Sequence, residues 1–370
     1  MKILCNSQKL VEAVSNVQRA VSSKSTLTAL EGILLETLEN KISLCGYNLE
    51  IGITTEIDAN VLEAGSIVLS AKIFSDIIKR APEENITITT DDKLITTIKS
   101  GTSEFSIIGI SVDEYPELPT INDHEDFEIE SSELKSMIKQ TIFAISENDE
   151  KPVNTGTLFD LNGNELNLVS VDGYRLAKRT GFLKNRTSQN SLHFVAPGRT
   201  LNEILKLISD DSFTKISVGK KHIMFKVDNY CIISRLLEGD FIDYNAAIPK
   251  DKTTELIVNT RKFIESVERV SIVVTDRLKS PVRCLFSNNQ LKMSCITAIG
   301  KANDEFDINL DGNSVEIGFN NKYLLDALKN VESDQVKIQM NGPLKPMKLV
   351  PVDGNSFVFL VLPVRLKSND

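Results

Sequence analysis

Apolar residues recur with helical spacing at three places along the chain. In the first, Leu10, Val14, Val17 and Val21 line one side while Lys9, Glu12, Asn16 and Arg19 occupy the other. Leu134, Ile138, Ile142 and Ile145 repeat the pattern, and Phe263, Val267, Val270 and Val274 repeat it again. Each stretch predicts an amphipathic helix; Ser131 or Ser132 caps the second, and Asn259 or Thr260 the third. After each helix come two alternating segments that read as strands, joined by polar turns at Asn40, Asn164 and Asn289. A second helix follows, over 70–80, 197–208 and 320–330, then further strands, and each copy closes on an apolar strand, at 103–110, 230–237 and 357–364.

The copies are offset by 124 positions from Ser7 to Ser131 and 128 from Ser131 to Asn259. A period that long excludes solenoids, whose repeats run roughly 20 to 50 residues. The expectation is an α+β chain of three tandem domains, each with two helices packed on antiparallel sheet, over 1–120, 121–250 and 251–370. Proline and acidic residues at 113–119 and 239–249 predict extended connections rather than core.

Composition narrows the class. Of 370 residues, 41% are hydrophobic and 25% charged, ordinary for domains that bury their own cores. Five scattered cysteines, with no C-x-x-C pair, predict neither a disulfide framework nor a zinc site. The first residues carry too few apolar positions for a signal-peptide core, and the run from Phe357 to Leu362 is too short to span a membrane. These features point to a cytoplasmic protein without metal or cofactor.

Catalytic motifs are missing from the sequence: it has no phosphate-binding glycine loop, no H-E-x-x-H and no G-x-S-x-G. His124, His193 and His222 are not spaced as ligands on one helix face, and read as surface or packing residues. The expectation is no catalytic residue. Net charge is -9, which argues against gripping nucleic acid by bulk positive charge. The helices nevertheless carry Lys and Arg, among them Arg261, Lys262, Lys322 and Lys329 and, just past a helix, Arg277 and Lys279, while acidic residues collect in linkers and loop edges.

Three segments carry a resemblance: 27–53 (LTALEGILLETLENKISLCGYNLEIGI), 168–179 (LVSVDGYRLAKR) and the ending 357–366 (FVFLVLPVRL). They resemble the bacterial DNA sliding clamp, the beta subunit of DNA polymerase III, in order and spacing over the whole chain. The resemblance implies a head-to-tail homodimeric ring, helices lining a hole and duplex DNA passing through it. DNA-facing residues would be Lys9, Arg19, Lys24, Lys72, Lys79 and Arg80 in the first copy, Lys135, Lys139, Arg199 and Lys206 in the second, and Arg269 in the third. Weak, sequence-independent phosphate attraction would then suffice, because enclosure does the holding.

The resemblance also implies a pocket for short hydrophobic peptides of the replicative polymerase, the clamp loader, and repair and translesion polymerases. Its residues would be Val171, Gly173, Tyr174, Arg175 and Leu176 from the strand-turn signature, and Leu360, Leu362, Pro363, Val364, Arg365 and Leu366 from the closing strand, an apolar groove with backbone and Arg donors at the rim. At four further pocket positions the family favours Leu, Pro, Arg and Val, whereas this chain has Asn154, Ile242, Ala246 and Ala247. Subunit contact would fall on Phe105 and Ile107 of one edge strand and on Ile272 and Val273 at a helix end, extending a sheet between subunits. Lys367–Asp370 extend past the family's usual ending. A peptide-recruiting scaffold that does not encircle DNA, and a metal-free enzyme at a domain junction, are the competing readings.

Overall fold

The computed structural model describes residues 1–148, 150–186, 190–275 and 280–366. Arg277, Lys279 and the Lys367–Asp370 extension lie outside the described residues. The chain is α+β, with antiparallel sheets and two helices in each tandem copy. First helices run Ser7–Val17, Ser131–Ile142 and Thr260–Ser271; second helices run Ala71–Ile78, Gly198–Leu207 and Asn321–Lys329. Asparagines cap three of them: the Asn6 side chain accepts from Lys9 N at 3.0 Å, Asn259 from Lys262 N at 2.9 Å, and Asn320 from Lys322 N at 2.9 Å. Each such cap is worth about 1 kcal/mol.

The first helices stop sooner than their periodicity predicts. After Val17 the backbone tightens into a 3-10 turn at Gln18–Ala20 and Val21 is extended, so its apolar side chain continues the stripe without continuing the helix. Ile145 and Val274 likewise lie beyond Ile142 and Ser271. Ile145 still packs inward, its Cδ1 filling the space that a Cβ on Gly198 would need.

Two compact units divide the chain. One comprises Met1–Ser132, Lys184–Ser188 and Asn202–Leu236; the other comprises Glu133–Leu183, Gln189–Leu201 and Leu237–Asp370. The first unit holds a 13-stranded sheet and the second holds sheets of nine and four strands. Copies are joined the same way in both units: Ile51 to Thr55 pairs antiparallel with Tyr230 to Ser234 in the first, and Arg175 to Arg179 pairs with Phe357 to Val361 in the second. The second strand pair of one copy thus receives the closing strand of the next.

A further correspondence runs through all three copies. Just past each closing strand, an isolated antiparallel bridge ties the chain to the strand before the second helix, at Val68 with Ile110, Val195 with Leu237 and Gly318 with Val364. In the first two copies the chain then crosses the outer sheet face, and here the linkers depart from the expected extended connections. Tyr115 is buried with Leu30, Leu34, Cys45, Tyr47 and Val68, and Tyr244 with Leu158, Val169, Val171, Val195 and Leu360. Proline and acid content describes the solvent side of these segments; one tyrosine in each supplies enough apolar area to dock it. The Tyr115 hydroxyl donates to Cys45 O at 3.3 Å. Tyr115→Phe should lower stability by about 1 kcal/mol, the usual net worth of such a bond, and a thermal melt of the variant would register it.

Candidate functional site

The strands Glu165–Val171 and Arg175–Phe182 form a hairpin whose last pair is Val171 with Leu176. Leu176 in turn pairs with Leu360 of the strand Phe357–Val361. Val171, Leu176 and Leu360 are buried together, so one apolar floor is built from two copies. Phe241, Ile248 and Leu237 pack against it. Above the floor the residues open to solvent. Leu362 is 37% exposed, Ile242 41% and Tyr174 61%, and Ala246 and Ala247 are also exposed. The short helix Tyr244–Ala247 presents the two alanines, capped by Asp243 through Asn245 N at 3.1 Å.

The closing segment is held at both ends of this opening. Leu362 N donates to Tyr174 O at 2.9 Å and Val364 N to Gly318 O at 2.8 Å. Asn154, Gly173 and Tyr174 lie along a cleft of about 600 Å³ that also includes Lys322 and Tyr323. Pro363, Val364, Arg365 and Leu366 line a separate groove of about 430 Å³ with Gly318, Pro343 and Leu344. The expected pocket residues therefore fall on a floor, a cleft and a groove. At the turn, Gly173 has φ +91, a conformation that costs glycine little.

Arg175 lines that cleft too, with its guanidinium turned into the fold. Its side chain is only 5% exposed. Nε donates to Asp172 at 2.9 Å and Nη1 donates to Asp326, while the guanidinium lies 4.7 Å from the Tyr323 ring and 5.7 Å from that of Phe143. Two of its five N–H donors are thus engaged within the fold, while Arg365, in the separate groove, is exposed. Asp326, Tyr323 and Phe143 escaped the sequence reading. Only Tyr323 had a signal, its place three positions after the capping asparagine Asn320.

Lys24, Lys72, Lys79, Lys139 and Arg199 are exposed and Lys135 is half-buried. Others stand beside carboxylates: Lys9 with Asp58 at 2.9 Å, Arg80 with Asp76 at 3.3 Å, and Lys206 and Arg19 both with Glu203, at 2.9 and 3.8 Å. Arg269 donates through Nε and Nη2 to one oxygen of Asp304, at 3.1 and 2.7 Å. Burial works to raise the Asp304 carboxyl, but hydrogen bonds from Ser266 and Arg269 outweigh it and hold it below its ordinary value. Exposed pairs of this sort are worth little in stability, so they leave the lysines able to exchange partners.

Among the described residues, two junction strands lack the second neighbour that their equivalents have. Ser103–Ile108 ends the order of the 13-stranded sheet and Gly300–Asp307 that of the four-stranded sheet. Phe105 is 40% exposed, Ile107 half-buried and Ile108 82% exposed. Ile272 is 77% exposed, and it and Val273 sit in the turn after the helix rather than in a strand. They therefore cannot themselves extend a sheet. The strand that can is Gly300–Asp307, whose alternating charges had concealed it; a Cβ built on Gly300 would lie 3.7 Å from Val273 Cγ1.

Among the described residues no group of three or more His, Cys, Asp or Glu could hold a metal ion. Burial pushes the Cys5, Cys45 and Cys284 thiols up to about 12, which makes them poor nucleophiles. Among the described residues, no helix is long and apolar enough to cross a membrane.

Three family models match in succession: the N-terminal domain of the DNA polymerase III beta subunit over residues 1–119, its central domain over 128–243 and its C-terminal domain over 245–365. The beta sliding clamp of Bacillus subtilis is 32% identical, with 99% of this chain and 100% of that protein covered. The crystal structure of the Bacillus subtilis DNA polymerase sliding clamp superposes with a TM-score of 0.96 at 32% identity, covering 99% and 100% of the two chains. A Pseudomonas aeruginosa sliding clamp solved bound to griselimycin gives 0.93 at 25% identity, again covering 99% and 100%. Copy by copy and over its whole length, the chain belongs to the beta sliding clamp family, the beta subunits of DNA polymerase III.

Proposed function

We propose that two copies of this chain close head to tail into a ring that encircles duplex DNA and tethers the replicative polymerase, with no catalytic activity of its own. The observation that carries this reading is the pair of unfilled junction strands. Equivalent positions follow from the ladders: Ile51 faces Ser234 and Arg175 faces Val361, and the third-copy equivalent of Ile51 and Arg175 is Gly300. The first-copy equivalent of Ser234 and Val361 is Ile107, three positions before the bridging residue in each case. Pairing Gly300 of one subunit with Ile107 of the other therefore repeats the internal junctions, and carries Ala302 to Phe105 and Asp304 to Ser103. Ile272 and Val273 then flank the joint. Two such joints related by a twofold axis close a ring of six copies and leave neither edge exposed.

In that ring the basic helix positions face the hole and hold DNA loosely, so net charge does not decide binding. Positions 1–120, 121–250 and 251–370 are the three domains in this reading. The floor at Val171, Leu176 and Leu360, opening at Leu362 and Ile242, takes short hydrophobic peptides of the polymerase, the clamp loader, and repair and translesion polymerases. The ring works in the cytoplasm, at the nucleoid. Loaded by a clamp loader onto nicked circular duplex, the protein should stay bound through gel filtration and leave once the circle is cut. Retention that survives linearisation would favour a recruiting scaffold that does not enclose DNA.

A further inference from the structure

Arg175 joins three segments that are distant in sequence. Phe143 follows the helix Ser131–Ile142, Asp172 opens the hairpin turn, and Asp326 with Tyr323 belongs to the helix Asn321–Lys329. Asp172 is fully engaged by its own turn. One of its oxygens accepts from Tyr174 N at 2.8 Å and Arg175 N at 3.0 Å, the other from Arg175 Nε at 2.9 Å. Asp326 supplies the carboxylate on the far side of the fork, and its backbone oxygen is fixed by the Asn330 side chain at 2.8 Å.

The consequence reaches the peptide pocket through rings and backbone. Tyr323, beneath the guanidinium, stacks on Tyr174 with centroids 5.7 Å apart and planes 20° apart. Phe143, on another side, meets Phe359 edge-on at 5.3 Å, and Phe359 precedes the floor residue Leu360. The carbonyl of Tyr174 holds Leu362 N. A buried cation needs its compensating charge near at hand; with one carboxylate removed the guanidinium turns toward the water of the cleft it lines, and pulls on the turn that carries it.

We infer that Asp326 is a positioning residue for the peptide pocket: by completing the charge around buried Arg175 it fixes the Tyr174 turn, and with it Leu362, without touching the peptide. The inference rests on the pocket reading given above. It assigns part of the pocket's affinity to a helix carboxylate on which no peptide atom need rest.

The test uses the full-length dimer and griselimycin as the probe, with binding measured calorimetrically. Asp326→Asn, which keeps the shape and removes the charge, should weaken the probe about tenfold, equal to about 1.4 kcal/mol. Asp326→Glu should restore most of that loss. A merely structural role would not move a second readout, the ring-current shift of the Tyr174 ring protons, which Asp326→Asn should bring toward free-tyrosine values while far-ultraviolet circular dichroism and dimer mass stay unchanged. Wild-type protein that binds the probe alongside an Asp326→Asn variant of equal affinity and unshifted Tyr174 signals overturns the inference alone. Wild-type protein that fails to bind the probe removes the pocket reading and this inference with it.

Discussion

Ile107→Asp combined with Ile272→Asp should turn the dimer into monomers. In the proposed joint, Ile107 lies opposite Gly300 of the other subunit, and Ile272 stands beside the same strand. Both side chains reach solvent in the single subunit, so the variant should fold with a melting temperature close to that of the wild type. On association each aspartate would enter an apolar contact with no cation placed to meet it. An uncompensated buried charge costs about 3–5 kcal/mol, and a twofold ring contains every substitution twice. Even one such penalty per joint raises the dissociation constant by roughly four orders of magnitude or more. Sedimentation velocity at micromolar protein should show one species at the monomer mass of 41.1 kDa. A persisting dimer would reject the joint, whatever becomes of the DNA result.

Removal of Leu362 to Leu366 should abolish peptide binding while leaving the dimer intact. The deletion spares Phe357–Val361, whose ladder with Arg175 to Arg179 builds the floor. It takes away the exposed leucine over that floor, the bridge from Val364 to Gly318 and the exposed Arg365. Central apolar anchors of this sort commonly carry about 2 kcal/mol or more, so a loss of at least about 30-fold is expected for a hydrophobic peptide. Leu362→Asp alone should give much of that loss, which separates a local effect from one of shortening the chain. Undiminished affinity in both variants would place the site elsewhere.

Much of this architecture could be read from side-chain spacing. Leu10, Val14 and Val17 predict the buried face of the first helix because a helix must hide its apolar stripe wherever it docks. The repeat was legible for a related reason: caps, turns and closing strands are local signals, and three concordant sets fix one another. Helix ends were less legible, since Val21 and Ile145 are buried or packed by the fold around them and not by helical continuation. The linker tyrosines misled in the opposite sense, because proline and acid record what a segment shows to water and are silent about a single ring turned inward. Arg175 is the sharpest case. An arginine in a signature can serve a ligand or a neighbour, and only the placement of Asp326, 151 positions later, decides between them. The strand Gly300–Asp307 was hidden by its charges, which are compatible with an edge that stays soluble until it meets its mate.

The three isolated bridges have a consequence for the outer surface. Past Ile110 and Leu237 the chain lays a tyrosine over the outer sheet face, where the ladders align Leu34 with Leu158, Cys45 with Val169 and Val68 with Val195. The third copy has Arg283, Ser294 and Gly318 in those places. There Val364 and Leu366 lie directly on Gly318, where a Cβ would stand 2.8 Å from Val364 O and 2.6 Å from Leu366 Cδ2, and Arg283 pairs with Glu316 at 2.9 Å. The third copy thus seats its closing segment on bare backbone, where its siblings set a valine beneath a tyrosine. Gly318→Val would therefore lift that segment, and the exposed Arg365 with it, off the strand beneath.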